Sequence, residues 1–72
     1  MDEEKTILTK RECEVLSLIA KGYTSQEAAD ELWIKVKTLY FHLNSSFKKL
    51  DAHNRCAAVV KAIGLGLIPP IQ

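Results

Sequence analysis

Apolar residues recur every three or four positions along most of the chain, and no segment alternates apolar and polar residues over the length of a strand. This period predicts helices throughout. Two helix starts carry a capping box, Thr9 with Glu12 and Thr24 with Glu27. In that motif the threonine hydroxyl accepts a first-turn amide, and the glutamate accepts the threonine's own amide. Between the two boxes lies Gly22, which has the backbone freedom to end the first helix.

Four helices follow from these signals. The first is predicted to run from Thr9 to about Lys21, and the others over residues 25–32, 36–50 and from Asn54 to Gly64 or Gly66. At helical spacing, the side chains predicted to face a common core are Val15, Leu16, Ile19, Ala20, Ala28, Ala29, Leu32, Val36, Leu39, Leu43, Phe47, Leu50, Ala58, Val59, Ala62 and Ile63. The sequence therefore predicts an all-α, four-helix domain, with Trp33 as a lid on its small core.

Three residues, 33–35, separate the second predicted helix from the third, which is the arrangement of a helix-turn-helix. The outer face of the third helix carries lysines at both ends and hydrogen-bonding or flat side chains between them: Lys37, Tyr40, Phe41, Asn44 and Lys48. Lysines neutralise phosphates, and the central side chains of such a face reach base edges in the major groove. A solvated amphipathic helix would show a similar face, so the residues alone leave both interpretations open.

Charge is divided unevenly along the chain. Residues 1–34 carry four basic and eight acidic side chains, whereas residues 35–72 carry six basic side chains and one acidic. This asymmetry indicates either a polyanionic partner or an uneven solvated surface. The length allows one domain, no apolar run reaches the roughly 20 residues that span a bilayer, and the start lacks a secretory signal pattern. We therefore expect a cytoplasmic protein without a membrane segment.

Few residues could carry chemistry. Cys13 and Cys56 are too few for a disulfide framework, and His53 with Cys56 forms one weak ligand pair where structural zinc sites present two. No serine, cysteine or carboxylate is spaced to form a nucleophile pair with His42. We therefore predict that the chain is not an enzyme, and we expect no metal, cofactor or small-molecule ligand in it.

Residues at fixed spacings form one pattern over residues 8–68. It comprises residues 8–16 (LTKRECEVL), 19–22 (IAKG) and 24–29 (TSQEAA), then Leu32, Ile34, Thr38, Leu39, His42, Lys49, Leu50, Arg55, 58–60 (AVV) and 66–68 (GLI). This pattern resembles the LuxR-type (GerE-type) helix-turn-helix domain. Residues 55–68, with Phe41 and His42, most resemble the acyl-homoserine-lactone-responsive branch. The resemblance implies a four-helix DNA-binding domain that controls transcription, between an N-terminal extension (residues 1–7) and a C-terminal tail (residues 69–72).

By position, the resemblance assigns the DNA contacts mainly to the third helix. The residues matched to base contacts are Lys37, Tyr40, Phe41 and Asn44. The residues matched to phosphate contacts are Ser25, Gln26, Lys35, Thr38, Lys48 and Lys49. The resemblance also implies a homodimer on double-stranded DNA, paired through the fourth helix at Cys56, Ala57 and Val60. The apolar residues Leu67 and Ile68 follow that helix.

Several residues depart from the family's usual ones. Lys35 replaces the usual capping residue before the third helix, which removes about 1 kcal/mol of capping. Asp51 replaces the usual glycine after that helix. Ser46 stands where a buried aliphatic side chain is usual, and Phe47 is expected to refill that space.

The resemblance also gives structural roles to polar residues. Glu12 is expected to pair with Arg55, because a partly buried charge needs a partner, and His42 is expected to pack rather than react. The altered third helix keeps a second function open. In that alternative, the chain is a truncated family member without a sensor domain, an interaction module that pairs with a full-length LuxR-type regulator and antagonises it.

Overall fold

The computed structural model describes residues 7–70 and contains four helices: α1 (Lys10–Ala20), α2 (Ser25–Leu32), α3 (Val36–Leu50) and α4 (Arg55–Gly64). These bounds match the predicted helices closely, and the described range forms no strand, so the all-α, four-helix prediction is confirmed. Residues 1–6 of the predicted extension and 71–72 of the predicted tail lie outside the described residues. None of the four helices is long and apolar enough to cross a membrane.

The first two helices begin with the predicted capping boxes. The Thr9 and Thr24 hydroxyls each accept the amide three residues later at 3.1 Å. In return, the Glu12 and Glu27 carboxylates accept the threonine amides at 2.8 and 2.9 Å. Both helix starts therefore satisfy their exposed amides with side chains only three residues away in the sequence.

The two later helices begin differently. The Asn54 side-chain oxygen accepts the amide of Ala57 and caps α4, as predicted. Lys35 precedes α3 and provides no side-chain hydrogen bond to its first turn, also as predicted. Among the four described helices, only α3 therefore lacks a side-chain N-cap.

All four helices end with the same backbone motif. An amide bonds to a carbonyl five residues earlier at 2.8–3.1 Å: Tyr23 to Leu18, Ile34 to Ala29, Ala52 to Phe47 and Leu67 to Ala62. The residue before each donor has a positive φ: Gly22, Trp33, Asp51 and Gly66. A positive φ disfavours residues with a side chain by about 1–2 kcal/mol. The turns on either side of α3 therefore carry strain that glycine would avoid.

The core lies between α1 and α3, each of which packs against all three other helices. Its buried apolar side chains are Leu8, Val15, Leu16, Ala28, Ala29, Leu39, Leu43, Leu50, Ala58, Val59, Ala62 and Ile68. The other predicted core residues, Ile19, Ala20, Leu32, Val36, Phe47 and Ile63, are partly buried at its edge. Ile68 is a core residue and Leu67 packs against the core, so the two apolar residues that follow α4 contribute largely to the fold.

The prediction that Trp33 covers the core is wrong. Its side chain is 93% exposed. Trp33 adopts the left-handed conformation that ends α2, and the next residue, Ile34, packs against the core in its place. The backbone geometry of the turn thus decides which of two adjacent apolar side chains is buried.

Ser46 occupies a fully buried position on α3. Its hydroxyl donates to the His42 carbonyl at 2.8 Å, which satisfies the polar group within the helix. Phe47 packs against the core from the adjacent position but stays only partly buried. Phe47 therefore refills the expected space only in part.

Candidate DNA-binding surface

The two faces of α3 differ in burial and chemistry. The inner face is buried through Leu39, Leu43, Ser46 and Leu50. The residues predicted to contact bases or phosphates from this helix are all exposed: Lys37, Thr38, Tyr40, Phe41, Asn44, Lys48 and Lys49. Residues three or four apart are neighbours on a helix surface, so Lys37, Phe41, Asn44 and Lys48 follow one line along it. We call these four residues and Tyr40 the outer stripe.

An aromatic ring stands at the middle of the outer stripe. The Phe41 side chain is 71% exposed, and its ring meets the partly buried His42 ring edge-on, with centroids 5.8 Å apart and planes at 70°. His42 thus packs beside an aromatic neighbour, as expected for a structural histidine. A largely exposed phenyl ring between two lysines presents an apolar surface within a basic, polar face.

The basic residues of the second half of the chain divide into two sets. Lys49, Arg55 and Lys61 bind other groups of the protein. Lys35, Lys37 and Lys48 are exposed and form no ion pair or side-chain hydrogen bond with any other residue in the range 7–70. The second set lies at the start of α3 and on the outer stripe. Three of the six basic residues after position 34 therefore serve the fold, and the other three lie at the start of α3 and on its outer stripe.

Glu12 pairs with Lys49 and not with Arg55, so the predicted partner is wrong. The Lys49 Nζ lies 2.9 Å from Glu12 Oε1, and Glu12 is 3% exposed. Burial alone would raise the pKa of Glu12, but the amide of Thr9 and the ammonium of Lys49 outweigh burial and lower it below 4.5. The ion pair ties the start of α1 to the last turn of α3, where Lys49 is the residue within reach.

Arg55 instead donates a hydrogen bond to the buried hydroxyl of Ser25, which joins the first residues of α4 and α2. Ser25 was predicted to contact phosphate, and its hydroxyl oxygen is engaged inside the protein. The neighbouring Gln26 is exposed, and its side-chain amide donates to Asp30 at 3.0 Å.

Sequence reasoning missed the role of Lys61. Its Nζ donates to the carbonyls of Leu50 and Asp51 at 3.1 and 2.7 Å, at the C-terminal end of α3. A cation is favoured at this end of a helix because the unpaired carbonyls there are negative. The sequence signal is a lysine in the helix that follows an α3 end without glycine, and identifying Lys61 as the contact requires knowing how α4 packs against α3.

The outer side of α2 has the opposite charge. Glu27, Asp30 and Glu31 are exposed there and line a groove with Lys21 and Tyr23. Acidic residues repel phosphate, so this groove disfavours a nucleic acid. Of the two helices of the helix-turn-helix, α2 and α3, only α3 therefore presents an outer face whose charge suits a polyanion.

A separate apolar groove lies between α1 and α4. It is lined by Ile19, Ala20, Cys56, Val59 and Val60, with Arg55 at its edge. Val60 is 68% exposed and Cys56 is exposed, while Ala57 is half-buried. The residues predicted to pair two protomers therefore lie at the surface.

Within the described part of the chain, no three His, Cys, Asp or Glu residues are grouped to hold a metal ion. Burial, followed by the charges of Glu12 and Glu14, raises the pKa of Cys13. That thiol is therefore less ionised than an ordinary cysteine and a weaker nucleophile.

Comparison with known proteins gives consistent matches. The family model of bacterial regulatory proteins, luxR family, matches residues 6–62. The chain is 52% identical over 61 residues to the HTH-type quorum sensing-dependent transcriptional regulator RpaR of Rhodopseudomonas palustris, covering 85% of this chain and 25% of that protein. It is 47% identical over 55 residues to the transcriptional regulatory protein LiaR of Bacillus subtilis, covering 76% of this chain and 26% of that protein.

The response regulator protein VraR of Staphylococcus aureus is 44% identical over 62 residues, covering 86% of this chain and 30% of that protein. The chain thus spans between a quarter and a third of the length of these relatives. The solved structure of the transcription factor GerE superposes with a TM-score of 0.83 at 28% identity, covering 88% of this chain and 94% of that one. The chain is therefore a DNA-binding helix-turn-helix domain that belongs to the luxR family of bacterial regulatory proteins.

Proposed function

We propose that this domain regulates transcription in the bacterial cytoplasm by placing α3 in the major groove of double-stranded DNA, as one half of a two-fold dimer. The observation that carries the proposal is the outer stripe. Lys37 and Lys48 stand near its ends, Tyr40, Phe41 and Asn44 lie between them, and no acidic residue occurs from Lys35 to Leu50. The relatives described as transcriptional regulators support the same function.

The central residues of the stripe would read bases. Asn44 offers both a donor and an acceptor, which suits a bidentate contact with adenine. Tyr40 and Phe41 offer ring surface, and Lys37 reaches acceptors on guanine or a nearby phosphate. These groups are exposed on a helix whose opposite face is anchored in the core, so they are held in place before DNA binds.

Phosphate contacts would flank this region. Lys35, Thr38 and Lys48 are exposed and suited to the sugar–phosphate backbone. Ser25, Gln26 and Lys49 have weaker claims, because their polar atoms are bonded to Arg55, Asp30 and Glu12. Any phosphate contact from these three residues competes with an internal bond.

The dimer would form through α4. Val60 and Cys56 expose apolar surface beside the groove at Ile19, and Ala57 is small enough to allow close approach of a second helix. Such an interface is small, so we expect the 72-residue domain to pair weakly in solution and more firmly on paired half-sites.

The experiment that tests DNA binding is selection of duplexes from a random pool, followed by titration of the selected site with the wild type and with Asn44→Ala. We expect the wild type to enrich a defined site. Asn44→Ala should relax the preference at one base pair by about 1–3 kcal/mol. Lys10→Ala, on α1, is the matched control and should retain the preference.

Enrichment of no site, with no binding at low salt, would contradict the proposal. It would favour the alternative, an interaction module that pairs with a full-length regulator. An unchanged preference in Asn44→Ala would contradict the assigned reading face while leaving DNA binding in place.

The dimer has its own test. Val60→Glu should lower affinity for a palindromic site and remove its cooperativity, with the helical circular dichroism unchanged, because a charge replaces an exposed apolar contact. Val60→Ala is the milder control. Cooperative binding by Val60→Glu equal to that of the wild type would exclude this interface.

A further inference from the structure

Phe41 is the least expected member of the outer stripe, because a phenyl ring can form no ordinary hydrogen bond with a base edge or a phosphate. It is nevertheless the most exposed aromatic ring on α3, at 71%. The His42 ring packs against it with centroids 5.8 Å apart, and most of the Phe41 side chain stays accessible to solvent. The ring therefore offers an apolar surface at the point where the helix would approach the base pairs.

The major groove presents one apolar group on its floor, the 5-methyl group of thymine, and phenylalanine is among the side chains suited to contact it. Asn44 lies three residues further along the same line. Three residues advance an α-helix by about 4.5 Å, and successive base pairs are about 3.4 Å apart. A spacing of about one base-pair step allows Phe41 and Asn44 to contact adjacent base pairs.

We propose that α3 reads two adjacent A·T pairs, with Phe41 against a thymine methyl group and Asn44 on the N6 and N7 edge of an adenine. This inference rests on the proposed insertion of α3 into the major groove. Lys37 and Lys48 lie on either side of the pair and hold the helix in register. The specificity is therefore partly apolar: it depends on a methyl group that uracil lacks.

The test uses the duplex selected by the wild-type chain, with each thymine replaced singly by uracil. This change removes one methyl group and leaves base pairing intact. We expect one position in each half-site to lose affinity by about fourfold, the effect of withdrawing one buried methyl contact. Phe41→Ala should bind more weakly and should show no further loss at that position.

Asn44→Ala is the matched control, because it weakens binding without touching the ring and should keep the uracil effect. A second base analogue, 7-deazaadenine, removes the N7 acceptor. At the neighbouring base pair it should lower wild-type affinity by about fivefold and leave that of Asn44→Ala unchanged. Phe41 is largely exposed, so circular dichroism should show that both variants fold.

The outcomes separate the two proposals. Specific DNA binding with no thymine whose methyl effect depends on Phe41 would overturn this inference and leave the proposed function intact. A methyl-sensitive thymine that is not adjacent to the Asn44-dependent adenine would overturn the two-pair reading. Failure to select any duplex would overturn the proposed function, and this inference with it.

Discussion

The α1–α2 pair and α3 are stabilised in different ways. Capping boxes satisfy the first amides of α1 and α2, and the left-handed residue in the turn after α1 is Gly22. α3 has no side-chain N-cap, and both adjoining turns place a non-glycine residue at positive φ. Its inner face and last turn are held by tertiary contacts, through the core, Glu12 and Lys61.

This difference indicates that α1 and α2 have sequences suited to local stability, whereas α3 has a sequence suited to the proposed DNA binding. A capping serine or aspartate at position 35 would stabilise α3 and would also remove a cation from the surface proposed to bind DNA. The lysine there also opposes the helix dipole. We infer that α3 tolerates poor local ends because packing holds it, which leaves its outer positions available for a ligand.

The largest effect is expected where α3 depends on α1. Glu12→Gln should lower the free energy of unfolding by about 2 kcal/mol, because Lys49 loses a charged, nearly buried hydrogen-bond partner. Glu14→Gln is the matched control. The Glu14 ion pair with Arg11, at 3.2 Å, is exposed and should contribute less than about 0.5 kcal/mol. Urea denaturation followed by circular dichroism measures both, and equal losses would contradict the anchoring role of Glu12.

The same contact predicts a pH dependence. The pKa of Glu12 is lower in the folded chain than its ordinary value of 4.5. Its stabilising contribution is therefore complete above pH 4.5 and is lost as the pH falls through the lower, folded value. Unfolding measured from neutral pH downward should show a smaller acid loss in Glu12→Gln than in the wild type. Identical pH profiles would show that another group carries the acid sensitivity.

A smaller effect should separate stability from binding at the start of α3. Lys35→Asp should raise the free energy of unfolding by about 1 kcal/mol, since it supplies the missing cap and favours the helix dipole. It should also weaken DNA binding. Lys35→Gln removes the cation without adding a good cap, so it should weaken binding with little gain in stability. Thermal denaturation and DNA titration on both variants test this contrast between stability and binding. An increase in both the stability and the DNA affinity of Lys35→Asp would contradict it.

The smallest effect concerns the turn before α3. Trp33→Gly should raise the free energy of unfolding by about 0.5 kcal/mol, because relief of the left-handed conformation exceeds the entropy that glycine adds to the unfolded chain. Gly22→Ala is the reverse control and should be destabilising, because its φ is 99°. A clear loss of stability in Trp33→Gly would mean that the indole packs against the fold after all.

The sequence predicted what depends on neighbouring residues. The helix starts at Thr9 and Thr24 depend on capping residues within one helical turn. The recurrence of apolar residues every three or four positions locates the core face of each helix. The helix-turn-helix followed from a three-residue gap. These features are local, so spacing alone was enough to place them.

What it missed depends on distances between helices. Glu12 could reach Lys49 or Arg55, and only the packing of α1 on α3 decides between them. Trp33 and Ile34 are adjacent and apolar, and the turn geometry selects which is buried. In the same way, charge counting could not separate Lys61, which caps α3, from Lys48, which stays at the surface.

The central claim is that the lysines at the start of α3 and on its outer stripe contact DNA phosphates. The salt dependence of DNA binding tests this claim most directly. The affinity of the wild type for its selected duplex should fall steeply with salt. In Lys35→Gln combined with Lys48→Gln, the slope of log K against log salt should shrink by about 0.9 for each lysine removed per bound protomer. Lys10→Gln, in the groove that also holds Glu14 and Glu31, should leave the slope unchanged. A slope that becomes shallower in the Lys10→Gln control and stays unchanged in the double variant would contradict the assignment of α3 as the DNA-binding surface.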